Sequence, residues 1–260
     1  MRKPRIIFFD IDGTLIDMEK KQVTPLMLDT LHRLQANGIR LAIATGRSPM
    51  TVPLWDFPGV QFDVLVTFNG AYCYDKNRVL FASPIPAEDV RTLRRNAAAL
   101  GRPLCVATES TLAANGNEQD LDDYFAVAKT PRSGNADFDT LPPAPCTRSD
   151  GRPEGRVQPH PAGCARSQDR RLVGPRHGHH PRCRRQGQRH RRRAAGLWHP
   201  ESRRHGLWRR QQRSGDVRGP VGTCVAMANG SADLKAAATH LCGSCAEDGI
   251  YHFCADNGLI

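Results

Sequence analysis

Residues 5–17 read RIIFFDIDGTLID, an apolar run followed by two carboxylates one residue apart and a Gly-Thr pair. The continuous run Ile6–Phe9 is typical of a strand buried on both faces of a parallel sheet. Asp10 and Asp12 follow the carboxyl end of that strand, where open α/β sheets bind their ligands. Gly13 lets the chain turn away sharply. The stretch therefore predicts a buried strand that presents two aspartates to a ligand.

Two carboxylates this close suit two kinds of chemistry. A hard cation such as Mg²⁺ prefers oxygen ligands, and both aspartates supply them. One carboxylate can also act as a nucleophile while the other transfers protons. Asp is common where a strand passes into a loop, so the pair alone also fits an ordinary strand end.

The following segments alternate between helix and strand. A helix is predicted to begin after Thr24, with Pro25 at its first position, and to end at Gly38. Apolar runs at 39–44 and 64–68 predict two further buried strands. This order predicts an α/β fold built on a doubly wound parallel sheet.

Each of these two strands delivers a polar loop to the sheet edge that holds the aspartates. Thr45, Gly46 and Arg47 follow the second strand, and a hydroxyl with nearby backbone N–H groups can hold a phosphate oxygen. Asn69 and Gly70 follow the third strand, where the pair is typical of a tight turn. An isolated T-G-R is also common in turns, and Arg47 fits a surface position equally well.

The chain is predicted to form a core from residues 1–82 and 221–260, with a second, α+β domain beginning at 83–141. Within that domain we expect a helix at 87–100, a strand at 104–107 and a helix at 121–127. A hairpin over 71–81 precedes it. In the tail, a strand at 224–227 and a helix at 232–238 flank Asn229.

Residues 142–220 have a different composition. The block contains 20 Arg, no Lys and five acids, whereas the rest of the chain has 17 basic and 21 acidic residues, within a total net charge of +11. It has no Ile, Phe, Met or Tyr, so it cannot bury enough apolar surface and we expect disorder. It is either an Arg-rich nucleic-acid-binding insertion or a stretch translated out of frame.

The genetic code favours the second interpretation. Trp208–Val217, WRRQQRSGDV, can be encoded by synonymous codons that read GDGNNDLEM one base later. Cys183–His190, CRRQGQRH, yields AADKGNGI under the same shift. Both strings arise in the same shifted frame, and they lie in the order of the family motifs compared below. This favours a frameshift that begins near 141–150 and ends near 219–222.

These motifs together resemble the haloacid dehalogenase (HAD) superfamily, in its Cof-type branch. FFDIDGTL resembles the first motif, and Thr45-Gly46 resembles the second, phosphate-binding motif. The shifted readings resemble the third motif, a lysine, and the fourth, GDxxND. Residues 222–260 resemble the Cof-type C-terminus. The resemblance implies a HAD Rossmann-like core with an inserted cap domain that selects the substrate.

The resemblance also implies a reaction, the Mg²⁺-dependent hydrolysis of a phosphomonoester. Asp10 would be the nucleophile and Asp12 the acid/base, with Mg²⁺ held by Asp10, the Asp12 backbone carbonyl and a fourth-motif aspartate. Phosphate-binding residues would be Thr45, Gly46 and Arg47. Weaker substrate contacts are implied for Asn69 and Gly70, and the Asn229 amide is implied to contact either the substrate or the metal-bearing loop. As written, the chain has neither the third-motif lysine nor GDxxND, so we expect its activity to be impaired or absent.

Other classes of protein fit less well. No apolar stretch reaches the roughly 18 residues of a membrane span, and the N-terminal apolar run is too short for a signal peptide. A cytoplasmic location is therefore expected, with the nine cysteines as free thiols without zinc spacing. The expected partner is a small phosphorylated metabolite, a sugar phosphate before a nucleotide-type phosphate. Nucleic-acid binding is the alternative function, and the oligomeric state is left open.

Overall fold

A computed structural model describes residues 3–116, 147–149, 204–208 and 222–260. The described residues form two compact units. One unit takes in the described parts of 1–46, 53–81 and 180–260, and the other takes in those of 47–52 and 82–179. The predicted helix at 121–127 and most of the Arg-rich block lie outside the described residues.

The described strands are β1 Ile6–Phe9, β2 Arg40–Ala44, β3 Val64–Thr67, β4 Tyr72–Tyr74, β5 Val79–Ala82, β6 Cys105–Ala107, β7 Leu112–Ala114, β8 Thr147–Ser149, β9 Arg204–Trp208, β10 Thr223–Met227 and β11 His240–Cys242. The described α-helices are α1 Pro25–Ala36, α2 Ala87–Ala99, α3 Ala232–Ala237 and α4 Gly249–Asp256.

Eight of the strands form one sheet in the order β11-β10-β9-β1-β2-β3-β4-β5. The strands from β11 to β3 pair in parallel, and β4 joins β3 in the antiparallel direction. In the register, Phe9 of β1 lies beside Ile43 of β2 and Leu207 of β9. Because later strands are added on both sides of β1, the predicted doubly wound sheet is confirmed.

The central strand is buried along its whole length, as its apolar run predicts. On one face, Ile6 and Phe8 pack in a cluster with Ala42, Ala226 and Leu234 of α3. On the other, Ile7 and Phe9 are almost fully buried as well. Because both faces of β1 are buried, its four side chains are apolar, and the first polar side chain, that of Asp10, follows its carboxyl end.

Helix α1 begins and ends where the sequence predicts. The Thr24 hydroxyl accepts the Met27 N–H at 3.0 Å and donates to the Asp248 carboxylate. At the other end, the Asn37 side-chain amide donates to the Leu259 carbonyl at 2.8 Å. Both ends of α1 are thus tied to the C-terminal segment that carries α4.

A few boundaries differ from the predicted ones. The third strand stops at Thr67 rather than at residue 68, because Phe68 and Asn69 adopt left-handed φ angles of 52° and 53°. Strand β7 was not predicted. It pairs antiparallel with β6 through a tight turn in which the Thr108 N–H donates to the Thr111 carbonyl at 2.7 Å.

Within 142–220, where the sequence predicts disorder, two short stretches are strands in the structure. Strand β8 pairs with β6, and β9 pairs in parallel with both β1 and β10. The physical reason is that strand pairing uses backbone N–H and C=O groups, which every residue except proline supplies in full. A missing apolar pattern therefore does not exclude a strand between two neighbours that need partners.

The second unit has its own small core. Helix α2, strands β6 and β7 and the residues next to them contribute it. Its buried apolar side chains are Ile85, Val90, Leu93, Leu104, Val106 and Ala113. None of the helices in the described part of the chain is long and apolar enough to cross a membrane.

The six described cysteines are free and buried, as predicted for thiols outside disulfides. Burial raises the pKa of Cys73 and Cys224 to about 11 and that of Cys242 and Cys254 to about 12, from an ordinary value of 9.0. These thiols therefore stay protonated in the folded chain at a pH where the unfolded chain has lost the protons.

We expect the free energy of unfolding to fall as the pH rises above about 9, and to keep falling towards the folded pKa values near 11 and 12. Each such thiol contributes a slope of up to about 1.4 kcal/mol per pH unit. Urea unfolding under reducing conditions at pH 7.5, 9 and 10.5 measures how the free energy of unfolding depends on pH. Cys254→Ala should flatten the dependence, and an equal slope in both chains would contradict the assignment.

Candidate active site

The two aspartates lie on a tight loop that follows β1. Gly13 adopts a left-handed φ of 71°, and its N–H donates to the Ile16 carbonyl at 2.7 Å. Asp10 is only 4% exposed, and its Oδ1 accepts the Ile11 N–H at 2.9 Å. Asp12 is half-buried. The loop thus holds a buried carboxylate and a more accessible one within three residues, as nucleophile and acid/base chemistry requires.

A second loop, after β2, meets a third loop, after β3. The Thr45 N–H donates to the Val66 carbonyl at 2.9 Å, and the Thr45 carbonyl accepts the Asn69 N–H at 3.1 Å. Gly46 lies against the Asn69 side chain, since a Cβ at Gly46 would sit 3.0 Å from Asn69 Oδ1. Left-handed φ angles at Asn69 and Gly70 make this approach possible. The structure therefore brings Thr45, Gly46 and Asn69 together.

The sheet register places these loops beside the aspartates. Phe9 pairs with Ile43, so Asp10 and Thr45 follow the ends of two adjacent parallel strands. The Thr45 side chain is 2% exposed, in keeping with a hydroxyl held in a fixed place. Arg47 lies in the second unit, where its Nη1 donates to the Thr51 carbonyl at 2.8 Å.

Asn229 reaches the aspartate loop from the C-terminal segment. It follows β10, and its Nδ2 donates to the Gly13 carbonyl at 3.0 Å. From the sequence, this amide was expected to contact either the substrate or the metal-bearing loop, and the contact seen in the structure is with the loop that carries Asp10 and Asp12.

Two further residues at this loop were missed by the sequence analysis. The Cys245 thiol donates to the Thr14 carbonyl at 3.2 Å, and Thr14 is completely buried. Within the described part of the chain, the Thr14 hydroxyl has no hydrogen-bond partner. Thr14 lies inside the quoted FFDIDGTL string, which was a usable signal. Cys245 was predicted only as one of nine thiols without zinc spacing, so its contact with this loop had no signal in the sequence.

The donor set around Asp10 and Asp12 suits a hard cation, because carboxylate and carbonyl oxygens are the ligands that Mg²⁺ prefers. It is not a complete cage. Among the described ranges, no group of three or more His, Cys, Asp or Glu side chains could hold a metal ion. The two aspartates therefore fit one side of a magnesium site, and a further acid has to come from elsewhere in the chain.

Comparison with known proteins agrees with this geometry. The family model for haloacid dehalogenase-like hydrolases matches residues 7–141 and 220–254, which is more than half of the chain. The chain therefore belongs to the haloacid dehalogenase-like hydrolase family, and the predicted resemblance is confirmed.

Two curated relatives are phosphatases by name. YkrA of Bacillus subtilis (strain 168), described as a candidate phosphatase, is 32% identical over 111 residues, 42% of this chain and 42% of YkrA. The pyridoxal phosphate phosphatase YbhA of Escherichia coli (strain K12) is 34% identical over 85 residues, 32% of this chain and 30% of YbhA. The matched stretches thus span less than half of either relative.

A solved structure extends the likeness to the whole fold. A sugar phosphatase of HAD subclass IIB superposes with a TM-score of 0.66 at 20% identity, covering 98% of this chain and 100% of the other. At that level of identity, the likeness establishes a shared fold.

We expect Gly46→Ala to lower the free energy of unfolding by about 1–2 kcal/mol, because the new methyl group crowds Asn69 Oδ1. In an Asn69→Gly background the cost should fall, giving a coupling energy of at least about 0.5 kcal/mol. Urea unfolding of the four chains measures that coupling. Gly38→Ala, whose Cβ would meet nothing within 4 Å, is the control and should add independently to Asn69→Gly. Additivity for Gly46→Ala would contradict the packing.

Proposed function

We propose that the chain carries the catalytic site of a phosphomonoester hydrolase, with Asp10 as the nucleophile. The observation that carries the proposal is that the buried carboxylate of Asp10 directly follows the central strand β1, next to β2, which Thr45 directly follows. Membership of a hydrolase family supports it. The names of the two curated relatives and the sugar phosphatase fold point to phosphate esters.

In the proposed reaction an Asp10 oxygen attacks phosphorus, and the bond between phosphorus and the leaving oxygen breaks. The product of this step is an aspartyl-phosphate on Asp10, and Asp12 gives its proton to the departing alkoxide. Asp12 then takes a proton from a water molecule, whose oxygen attacks the same phosphorus. This second displacement releases inorganic phosphate and restores both carboxyl groups.

The other residues support these steps by binding and orientation. The Thr45 hydroxyl and the backbone N–H of Gly46 would hold phosphate oxygens, and Arg47 is a candidate for a further contact. Asn69 and Gly70 would shape the entrance next to Gly46. Asp10 and the Asp12 carbonyl would hold Mg²⁺, which supplies charge neutralisation between nucleophile and phosphate when bound.

The proposed substrate is a small phosphorylated metabolite, with sugar phosphates as the first class to test. The shared fold with a sugar phosphatase supports this choice, and the sequence match to a pyridoxal phosphate phosphatase adds a second compound to the panel. The cap that would discriminate among such compounds begins at 83–141, and only part of that segment is described.

We also propose that residues of about 142–220 are out of frame and that the chain as written has impaired activity. The family model supports this, because its two matched stretches stop at 141 and resume at 220. The topology is consistent with it as well. Strand β9 runs parallel to β1 with Leu207 beside Phe9, so Trp208, the last residue of β9, lies at the sheet edge at which Asp10 follows β1. Trp208 begins the stretch whose shifted reading is GDGNNDLEM.

Restoring the frame should therefore restore activity. We expect the frame-repaired chain to hydrolyse p-nitrophenyl phosphate with Mg²⁺ at least about 10²-fold faster than the chain as written, since single electrostatic groups supply roughly 10²–10³ each. Steady-state rates of both purified chains measure the difference. Equal rates would reject the frame interpretation. Resequencing of the encoding DNA near codons 141–150 and 219–222 is the independent control.

In the frame-repaired chain, Asp10→Asn should abolish turnover, because an amide cannot serve as the nucleophile. Asp17→Asn is the matched control. Asp17 is a similarly buried carboxylate on the same segment, but its Oδ1 only accepts the N–H groups of Glu19 and Lys20, which an amide oxygen can also do. Activity retained by Asp10→Asn would reject the proposed nucleophile.

The Arg-rich block leaves one alternative function, nucleic-acid binding, because 20 Arg against five acids form a strongly basic segment. If the DNA shows no inserted or missing base at either end of the block, the segment is a genuine insertion. A salt-dependent affinity for an oligonucleotide that exceeds that of a composition-matched scrambled peptide would then support this function.

A further inference from the structure

The aspartate loop, residues 10–16, is held from outside by two side chains of the C-terminal segment. Asn229 Nδ2 donates to the Gly13 carbonyl at 3.0 Å, and the Cys245 thiol donates to the Thr14 carbonyl at 3.2 Å. The two acceptors are consecutive peptide carbonyls directly after Asp12. Both donors are more than 200 residues away in the sequence.

The backbone N–H groups of the loop do not donate hydrogen bonds to these two carbonyls. The N–H groups of Thr14, Leu15 and Ile16 all converge on the Ile11 carbonyl at 2.9–3.2 Å. Within the described residues, no backbone N–H donates to the carbonyl of Gly13 or Thr14. Because a buried carbonyl without a partner is costly, the side chains of the tail decide which way these peptide groups face.

The first of the two donors is itself held in place. Asn229 lies in a turn closed by the bond from the Gly230 N–H to the Met227 carbonyl at 2.9 Å. Next to it, Lys235 Nζ donates to the Ala228 carbonyl at 2.8 Å. These bonds restrict the backbone that carries the Asn229 amide.

The second donor lies in an equally restricted turn. The Gly249 N–H donates to the Ser244 carbonyl at 2.9 Å, and a Cβ at Gly249 would come within 2.2 Å of the Gly243 carbonyl carbon. The Ala228 N–H donates to the Gly243 carbonyl at 3.4 Å, which links this turn to that of Asn229. The two donors therefore belong to one connected support.

We propose that Asn229 and Cys245 are positioning residues, which set the geometry between Asp10 and Asp12 by orienting the peptide groups after Asp12. The catalytic part of this proposal, an effect on the reaction at Asp10, rests on the proposed function. The mechanical part, the support of the loop by these hydrogen bonds, rests on the contacts alone. Neither residue needs to touch the substrate. Asn229 is thereby assigned to the support of the loop, and Cys245 gains a role that its sequence motif does not indicate.

The mechanical part is tested in the full chain as it exists, by hydrogen exchange of a proteolytic fragment covering the loop. Asn229→Ala should speed exchange of the loop amides roughly three- to tenfold, the equivalent of one lost hydrogen bond. Asn229→Gln, which keeps the donor, should recover part of the protection. The matched control is Asn257→Ala, because Asn257 Nδ2 also donates to a backbone carbonyl, that of Phe253, at 2.8 Å. Unchanged exchange in Asn229→Ala, or an equal change in the control, would overturn the role.

Cys245 is tested by the same measurement with a pair of substitutions. Cys245→Ser retains a donor for the Thr14 carbonyl and should keep loop exchange near that of the parent, whereas Cys245→Ala should raise it. Cys254→Ala is the control, since Cys254 is also a buried thiol on the same C-terminal segment. If Ala protects the loop as well as Ser does, Cys245 acts only by packing, and its positioning role is rejected.

The catalytic part of the proposal is tested by measuring kcat and KM in the frame-repaired chain. Asn229→Ala should lower kcat by about tenfold or more while leaving KM within about twofold, because the geometry of the reacting groups changes and the binding contacts do not. A rise in KM at constant kcat would assign Asn229 to substrate binding and overturn the proposal. If loop exchange responds as expected but Asp10→Asn retains turnover, the proposed function fails and the loop support stands.

Discussion

The burial of β1 between β2 and β9 is the constraint on which the site depends. A strand paired in parallel on both sides and covered on both faces favours apolar side chains, and Ile6–Phe9 fits that preference. Asp10 is the first charged residue after this strand. Its 4% exposure places that charge where water screens it poorly, so neighbouring dipoles and cations act on it strongly.

The loops around Asp10 are shaped by contacts between segments that are distant in sequence. The backbone of Thr45 forms hydrogen bonds with β3 and with the loop that follows β3. The absence of a side chain at Gly46 leaves space for the Asn69 amide. On the other side, Asn229 and Cys245 satisfy the carbonyls of Gly13 and Thr14. Each contact removes a degree of freedom from a loop that would otherwise be flexible, which is how a scaffold pre-organises a site.

Strand β9 shows that backbone pairing and side-chain pattern are separable. Residues 204–208 lie in a block without apolar periodicity, yet they fill the place between β1 and β10. Main-chain groups make the ladder, and the two flanking strands would otherwise each lack a partner at their inner edges. The chemistry of a site, in contrast, needs particular side chains. If residues of about 142–220 are out of frame, as we propose, the segment can therefore keep a strand without keeping the side chains of a site.

Local patterns were enough to predict the α/β class, helix α1 and the position of the aspartates, because these follow from a continuous apolar run, an N-cap threonine and a turn glycine. The same patterns identified Thr45, Asn69 and Asn229 as residues that follow strands. The folded chain was needed to show what each of them touches, that β9 lies between β1 and β10, and that Cys245 contacts the aspartate loop. Such contacts join segments tens to hundreds of residues apart, and no periodicity or spacing within one segment encodes them.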